Sequence, residues 1–481
     1  MADFGNYIDG EWRPAAGGSL SEDRNPADSR ELVGRFAASR EEDARAAVDA
    51  AARAFPAWSA TPIGKRAQVL TKAADWLDAH AADIARDLTR EMGKPLALAQ
   101  DEIARTAQTF RFYAIEAQTF GGETFPQDDA GMVVYTQREP LGVVTVISPW
   151  NFPASIPARK IAPALATGNT VVFKPSSDAP LTAVHLVEAL AAGGIPKGVI
   201  NLVTGKPAAV AGVLIGSPQV RAVTFTGSTS AGEQIHRAAS LTTRTQMELG
   251  GKNPLLVMED ADLDVAVDLT VKGGLSLTGQ ACTGTSRVLV AKDVRNAFVA
   301  KLVERIGRLK IGNGLQPGMD LGPLANARQY DTVLSYVALG CSEARHVYGG
   351  EPLRGEGLEH GHFVQPAVFT EVAPTSRIAR EEIFGPVIAV IDTDSFADAM
   401  DKANDTEYGL SAAICTRNPR YAHEFCRSIQ SGTVKVNRTT TGNLVNAPFG
   451  GYKRSSGSGF RESGRTGLEF FLQTKTVYRA F

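Results

Sequence analysis

Cys282 stands among small residues in Gly-Gln-Ala-Cys-Thr-Gly (279–284), where a carbonyl compound can approach the sulfur. Only the thiolate is a good nucleophile, and a free thiol with a pKa of ~8.5 is a few per cent ionised at neutral pH. Most cysteines are buried and inert, so this one needs partners before chemistry can be assigned to it. No histidine is close in sequence, which gives no local sign of a Cys–His arrangement; a cofactor-independent cysteine hydrolase or acyl-transferase remains a rival reading. Glu248, in Met-Glu-Leu-Gly-Gly-Lys-Asn-Pro (247–254), closes a strand-like run ahead of two glycines. A carboxylate there suits a general base for a water, more so if burial lifts its pKa toward ~7, while an exposed turn carboxylate is an equal alternative. Asn151, in Pro-Trp-Asn-Phe-Pro (149–153), offers an amide donor to an oxyanion from a turn fixed by two prolines.

Two further segments suit a nucleotide. Residues 225–232, Phe-Thr-Gly-Ser-Thr-Ser-Ala-Gly, join a strand to a helix and would leave backbone N–H groups free for a pyrophosphate. Ser230 and Glu233 also fit a capping box there, and the spacing is neither GxGxxG nor a P-loop. Lys174, in Phe-Lys-Pro-Ser-Ser (173–177), ends a strand where ligands of doubly wound sheets bind, although a solvated lysine would look the same. The cysteines at 282, 341, 415 and 426 form no CxxC pair, and the seven histidines form no HExxH. Neither disulfides nor a metal site is expected.

These residues need a scaffold, and the chain of 481 residues is long enough for two or three domains. With 50 basic against 52 acidic side chains, nothing electrostatic favours nucleic acid or an anionic membrane as partner. No apolar run approaches the ~20 residues of a membrane span, and no basic head or apolar stretch opens the chain, so a cytoplasmic protein is expected. Helical periodicity runs over 41–58, 63–92 and 96–117. β-branched runs at 132–138 and 142–147 follow, and then strands at 170–173, 199–203 and 221–225 alternate with helices at 181–192 and from about Thr229. A second series places strands at 254–257, 286–290, 387–391, 412–415 and 433–436, with helices at 263–271, 294–306 and 396–403. Residues 470–478 read as a last strand. The alternation predicts an α/β fold with parallel sheets covered on both faces.

Taken in order, these segments resemble the aldehyde dehydrogenase superfamily. The set comprises 149–153, Lys174-Pro175, 225–232, 248–254, 279–282, Glu-Ile-Phe-Gly-Pro (382–386) and Pro-Phe-Gly-Gly-Tyr-Lys (448–453), and it spans the chain from about Tyr7 to Tyr478. The resemblance implies two Rossmann-like α/β domains plus a small β oligomerisation element: a cofactor domain (1–117 and 141–249), a catalytic domain (250–445) and a bridging element (118–140 and 446–481). A homodimer or homotetramer is expected, since exposed strand edges need a partner. It also implies that Cys282 attacks an aldehyde, that Asn151 and the Cys282 N–H hold the oxyanion, and that Glu248 activates the water that hydrolyses the thioester. A non-catalytic scaffold of this fold would typically have lost Cys282 or Glu248.

The resemblance further assigns Lys174 to the adenosine ribose, Ser228 to the pyrophosphate, and Glu382 with Phe384 to the nicotinamide ribose and ring. Trp150, Ser176, Ser177, Gly227 and Gly250 complete the cofactor set. NAD-preferring members usually carry a glutamate where this chain has Ser177, so NADP is expected to be accepted or preferred, with NAD also usable. Phe152, Arg159 and Phe449 are the expected substrate contacts. Arg159 stands where members acting on apolar aldehydes have an aromatic residue, and it suits a distal carboxylate. Succinate semialdehyde enzymes commonly carry a second arginine where this chain has Ser276. The stretch Lys-Arg-Ser-Ser-Gly-Ser-Gly (453–459), with Cys-Thr-Gly-Thr-Ser-Arg (282–287), looks closer to 2-oxoglutarate semialdehyde (2,5-dioxopentanoate) dehydrogenases. Succinate or glutarate semialdehyde as secondary substrates, or broad aldehyde specificity, are the alternatives.

Overall fold

The computed structural model describes residues 2–355, 357–457 and 459–480. Val143–Ile147 and Thr170–Lys174 are β-branched, almost wholly buried strands, as strands covered on both faces must be. They form the middle of a seven-stranded sheet. Its order is Arg244–Glu248, Val220–Thr226, Val143–Ile147, Thr170–Lys174, Ile200–Leu202, Asn6–Ile8 and Glu11–Arg13, with the first five parallel. Sequence order reverses beside Val143–Ile147, which puts the topological switch point between that strand and Val220–Thr226.

A second seven-stranded sheet runs Arg345–Tyr348, Ala367–Thr370, Val387–Thr393, Thr285–Ala291, Asn253–Val257, Ser411–Cys415 and Thr433–Val436. Only its first strand is antiparallel to its neighbour. Leu472–Ala480, Met132–Pro140 and Thr124–Phe125 make a separate antiparallel sheet, and Asp3–Phe4, Leu32–Ala37 and Leu20–Arg24 another three-stranded one. Among the described residues no helix is long and apolar enough to cross a membrane. The parallel-sheet α/β architecture matches the expectation; several elements differ in detail.

The periodic stretch 63–92 is two helices, Ile63–Ala79 and Ala81–Met92. The Trp76 carbonyl takes both the His80 N–H (3.1 Å) and His80 Nδ1 (2.8 Å), while the two rings stack. This local contact ends the helix where hydrophobic spacing alone does not. The helix opening near Thr229 is capped by Ser228, whose hydroxyl accepts from the Ala231 N–H. Ser230 and Glu233 therefore form no capping box; Glu233 pairs with Arg454 instead. The last strand starts at Leu472 because Thr466–Glu469 is a short helix with Phe470 and Phe471 packed beneath it. Helices Ala327–Glu343 and Pro419–Ser428 had no counterpart in the sequence reading.

Candidate active site

The carboxyl ends of the first sheet meet the amino ends of the second. Ile147, Lys174, Thr226 and Glu248 close strands of the first, while Asn253, Thr285, Val387 and Ser411 open strands of the second. The peptide 249–252 is the short crossing between them. This meeting gathers residues far apart in sequence into one cavity of about 340 Å³, lined by Cys282, Glu248, Phe152, Arg159, Phe449 and Ser276 among others.

The turn before Cys282 is strained. Leu277 (φ 59°) and Thr278 (φ 55°) both hold left-handed backbone, costing of the order of 1–3 kcal/mol each. Tertiary hydrogen bonds sustain it. The Thr278 hydroxyl donates to the Gly322 carbonyl (2.9 Å), and Gln280 Oε1 accepts from the Ala325 N–H (2.9 Å). On the far side, Asn253 Nδ2 donates to the Cys282 (2.8 Å) and Gly284 (2.9 Å) carbonyls, and its Oδ1 accepts from the Ser411 N–H (3.0 Å). Asn253 thus staples the nucleophile loop to a neighbouring strand of the second sheet. Gly251 fits against it because a Cβ there would lie 2.7 Å from the Cys282 carbonyl oxygen. Among the described residues the Cys282 N–H meets no protein acceptor.

Asn151 is buried, and its Nδ2 donates to the Gln280 carbonyl (3.0 Å). That bond uses one amide hydrogen, fixes the nitrogen toward the nucleophile loop, and leaves the other hydrogen for an oxyanion. The turn is held from beneath by Lys94, whose ammonium donates to the Asn151 carbonyl (2.8 Å) and lies 4.4 Å from the Phe152 ring centroid. Lys94 also pairs with Glu102, both side chains being buried. Glu102 accepts in turn from the Ala154 (2.9 Å) and Ser155 (3.0 Å) N–H groups at the start of helix Ser155–Ala166. The sequence reading named neither residue. The only trace of them is a charge in the link between two helices (Lys94) and one inside an apolar helical stretch (Glu102), which periodicity treats as surface.

Glu248 is 2% exposed, and neither carboxylate oxygen has a hydrogen-bond partner among the described residues. Burial raises its pKa well above the ordinary carboxylate value, and the Glu462 charge adds to this, while Lys160, Arg461 and Arg159 oppose it. Lys160, beside Arg159 in sequence, is fully buried and paired with Glu462, and it donates to the Thr224 hydroxyl (2.9 Å). Glu462 reaches the pocket through a two-way backbone bridge with Phe449, N···O 2.7 Å in each direction. Phe449 and Glu462 therefore border the cavity together. Ser458 lies outside the described residues. Burial pushes the Cys282 thiol up to about 12, with Glu382 and Glu248 adding and Arg159 pulling down. Arg159 is half-buried on helix Ser155–Ala166 with no carboxylate partner among the described residues.

The remaining sequence-predicted residues fall along the carboxyl ends of the first sheet and the facing loop of the second. Ser228, Glu382 and Tyr408 border a cleft of about 550 Å³. Glu382 accepts from the Gly251 N–H (3.0 Å), and a Cβ at Gly250 would lie 2.2 Å from its Oε2. Only glycine at 250 lets that carboxylate lie there. Phe384 holds left-handed backbone (φ 56°) and meets Trp150 edge to face at 5.5 Å. Gln329 Nε2 donates to the Ile383 (3.0 Å) and Phe384 (2.9 Å) carbonyls, a support the sequence reading did not find. Lys174 is buried and donates to the Pro175 carbonyl (2.6 Å). Ser176 bonds the Asp178 N–H (3.2 Å), and Ser177 donates to the Gly205 carbonyl (2.9 Å), next to the exposed Lys206. Gly227 takes its N–H to the Glu248 carbonyl (3.1 Å), tying the glycine turn to the neighbouring strand. A helix N-terminus open to solvent, a carboxylate cradled by two glycines and a buried lysine fit a dinucleotide's pyrophosphate and ribose hydroxyls.

The aldehyde dehydrogenase family model matches residues 12–477. The chain is 42% identical over 480 residues to an alpha-ketoglutarate semialdehyde dehydrogenase of Haloferax volcanii, covering 99% of each chain. It is 43% identical over 475 residues to an alpha-ketoglutaric semialdehyde dehydrogenase of Bacillus subtilis, covering 98% of this chain and 97% of that one. Its fold matches the crystal structure of betaine aldehyde dehydrogenase from Staphylococcus aureus in complex with NAD+ at a TM-score of 0.96 and 34% identity, over 99% of this chain and 95% of that one.

Proposed function

The chain belongs to the aldehyde dehydrogenase family, and on that premise we propose that it oxidises 2,5-dioxopentanoate to 2-oxoglutarate with NADP, NAD also serving. The cavity shared by Cys282, Glu248 and an unpaired arginine carries this reading. Arg159 offers a planar fork to a carboxylate at the far end of a substrate whose aldehyde carbon lies at Cys282. The names of the two semialdehyde dehydrogenases above support the same substrate.

In this reading the Cys282 thiolate bonds to the aldehyde carbon, and the carbonyl electron pair moves onto oxygen. The free Asn151 amide hydrogen and the Cys282 N–H hold that oxyanion. A nicotinamide bound across Glu382 and Phe384 supplies the acceptor for the hydride leaving the same carbon. The carbonyl re-forms as a thioester on Sγ. Glu248 then takes a proton from water, whose oxygen adds to the thioester carbon and expels the thiolate. Aldehyde and water become carboxylate, with one hydride transferred and two protons released.

Ser177 and Lys206 support the NADP preference. Without a carboxylate at 177, nothing there repels a 2′-phosphate, and Lys206 offers it a cation next to the Gly205 carbonyl that orients Ser177. Ser177→Glu is expected to raise the apparent KM for NADP and spare NAD. The position of Leu472–Ala480 as the edge strand of its three-stranded sheet supports a homodimer or homotetramer. The three-part division into cofactor, catalytic and bridging regions, and a cytoplasmic location, belong to the same proposal. The deciding experiment compares kcat/KM for 2,5-dioxopentanoate and pentanal in the native enzyme and in Arg159→Leu. Loss confined to the acid supports the reading, and equal losses refute it.

A further inference from the structure

One wall of the substrate cavity is a single stripe of helix Leu96–Glu116. Leu98, Asp101, Glu102 and Arg105 recur at i, i+3, i+4 and i+7, and all four line the cavity. Lys94 neutralises Glu102. Arg105 is exposed, and among the described residues its guanidinium enters no ion pair or hydrogen bond. The facing helix Ser155–Ala166 presents Ser155, Ile156 and Arg159 at helical spacing, with Phe152 in the turn before it. The two arginines differ in depth. Arg159 is half-buried and its charge acts on both Cys282 and Glu248, whereas Arg105 is exposed and stands a helical turn beyond Glu102.

We infer that Arg105 is a second specificity-determining residue, which takes the carboxylate of ω-oxo acids longer than the five-carbon substrate, while Arg159 takes that of the five-carbon substrate and of shorter ones. The inference rests on the carboxylate-clamp reading of Arg159. A solvent-facing guanidinium holds its fork ready for a carboxylate without first breaking an internal pair. Its contribution is modest and salt-sensitive, because water competes at the mouth of the cavity.

The test uses four-, five- and six-carbon ω-oxo acids, each kcat/KM divided by that of the neutral aldehyde of equal length. Native enzyme, Arg105→Met, Arg105→Lys and Arg159→Leu are compared. Arg105→Met is expected to lower the six-carbon ratio about three- to tenfold through KM, with a smaller change at four carbons. Arg105→Lys should restore most of the loss, and raised ionic strength should shrink the difference. An Arg105→Met ratio unchanged at six carbons, or lowered equally at every length, overturns the inference. If Arg159→Leu still lowers the short-chain ratios, the clamp reading survives that failure; if it leaves every ratio intact, the clamp reading itself is lost.

Discussion

Cys282 and Glu248 are both pushed toward their protonated forms by burial, yet each acts deprotonated. The sign follows directly: kcat/KM for a neutral aldehyde should climb as pH rises. Arg159 pulls both groups down, so Arg159→Leu should move that ascending limb to higher pH, measured on a neutral aldehyde to separate it from carboxylate binding. An unmoved limb would mean that the arginine does not act electrostatically on the reacting groups. Glu248→Gln keeps the shape but removes the base. Thioester hydrolysis should slow about 10²–10⁴-fold, and intact-mass spectrometry should show acylated Cys282 accumulating during turnover. Asn151→Ala should cost about 10²–10³ in kcat, the usual loss for one oxyanion donor. A loss confined to KM would count against that role.

At the scale of elements, the reacting residues sit on loops and strand ends that rely on buried polar braces. Lys94 and Glu102 tie helix Leu96–Glu116 to the Asn151 turn and to the start of helix Ser155–Ala166. Removing one member strands the other charge in a dry interior, so Lys94→Met should destabilise the fold by about 3–5 kcal/mol. Chemical denaturation measures this, and Lys94→Met combined with Glu102→Leu should recover part of the loss. A single variant as stable as the native chain would show that the pair carries no such strain. The braces also explain what sequence reasoning missed. Glu102 and Lys160 look like ordinary charges in a periodic helical pattern, Lys94 and Glu462 like loop charges, and only packing reveals that all four are buried.

For the whole molecule, exposed Phe125 (43%) and Tyr478 (70%) flank the buried Val134 in one cross-strand row of the three-stranded sheet, of which Leu472–Ala480 is an edge strand. Such an edge is a template for another chain. If the proposed homo-oligomer forms through this sheet, Phe125→Asp combined with Tyr478→Asp should shift it toward monomer in light scattering, without unfolding either large sheet. The sequence by itself determined the alternation of strands and helices, and the motif order brought out the family and marked the candidate nucleophile, base and amide. Those signals are local: β-branched runs, helical spacing, and short segments whose chemistry needs particular residue types. Only the tertiary structure decided that Glu248 is dry, that Lys160 is paired rather than solvated, and that Arg105 faces the same cavity as Arg159. Each of these depends on burial and charge contributed by segments tens to hundreds of residues away, and a side chain's environment is set by what folds against it.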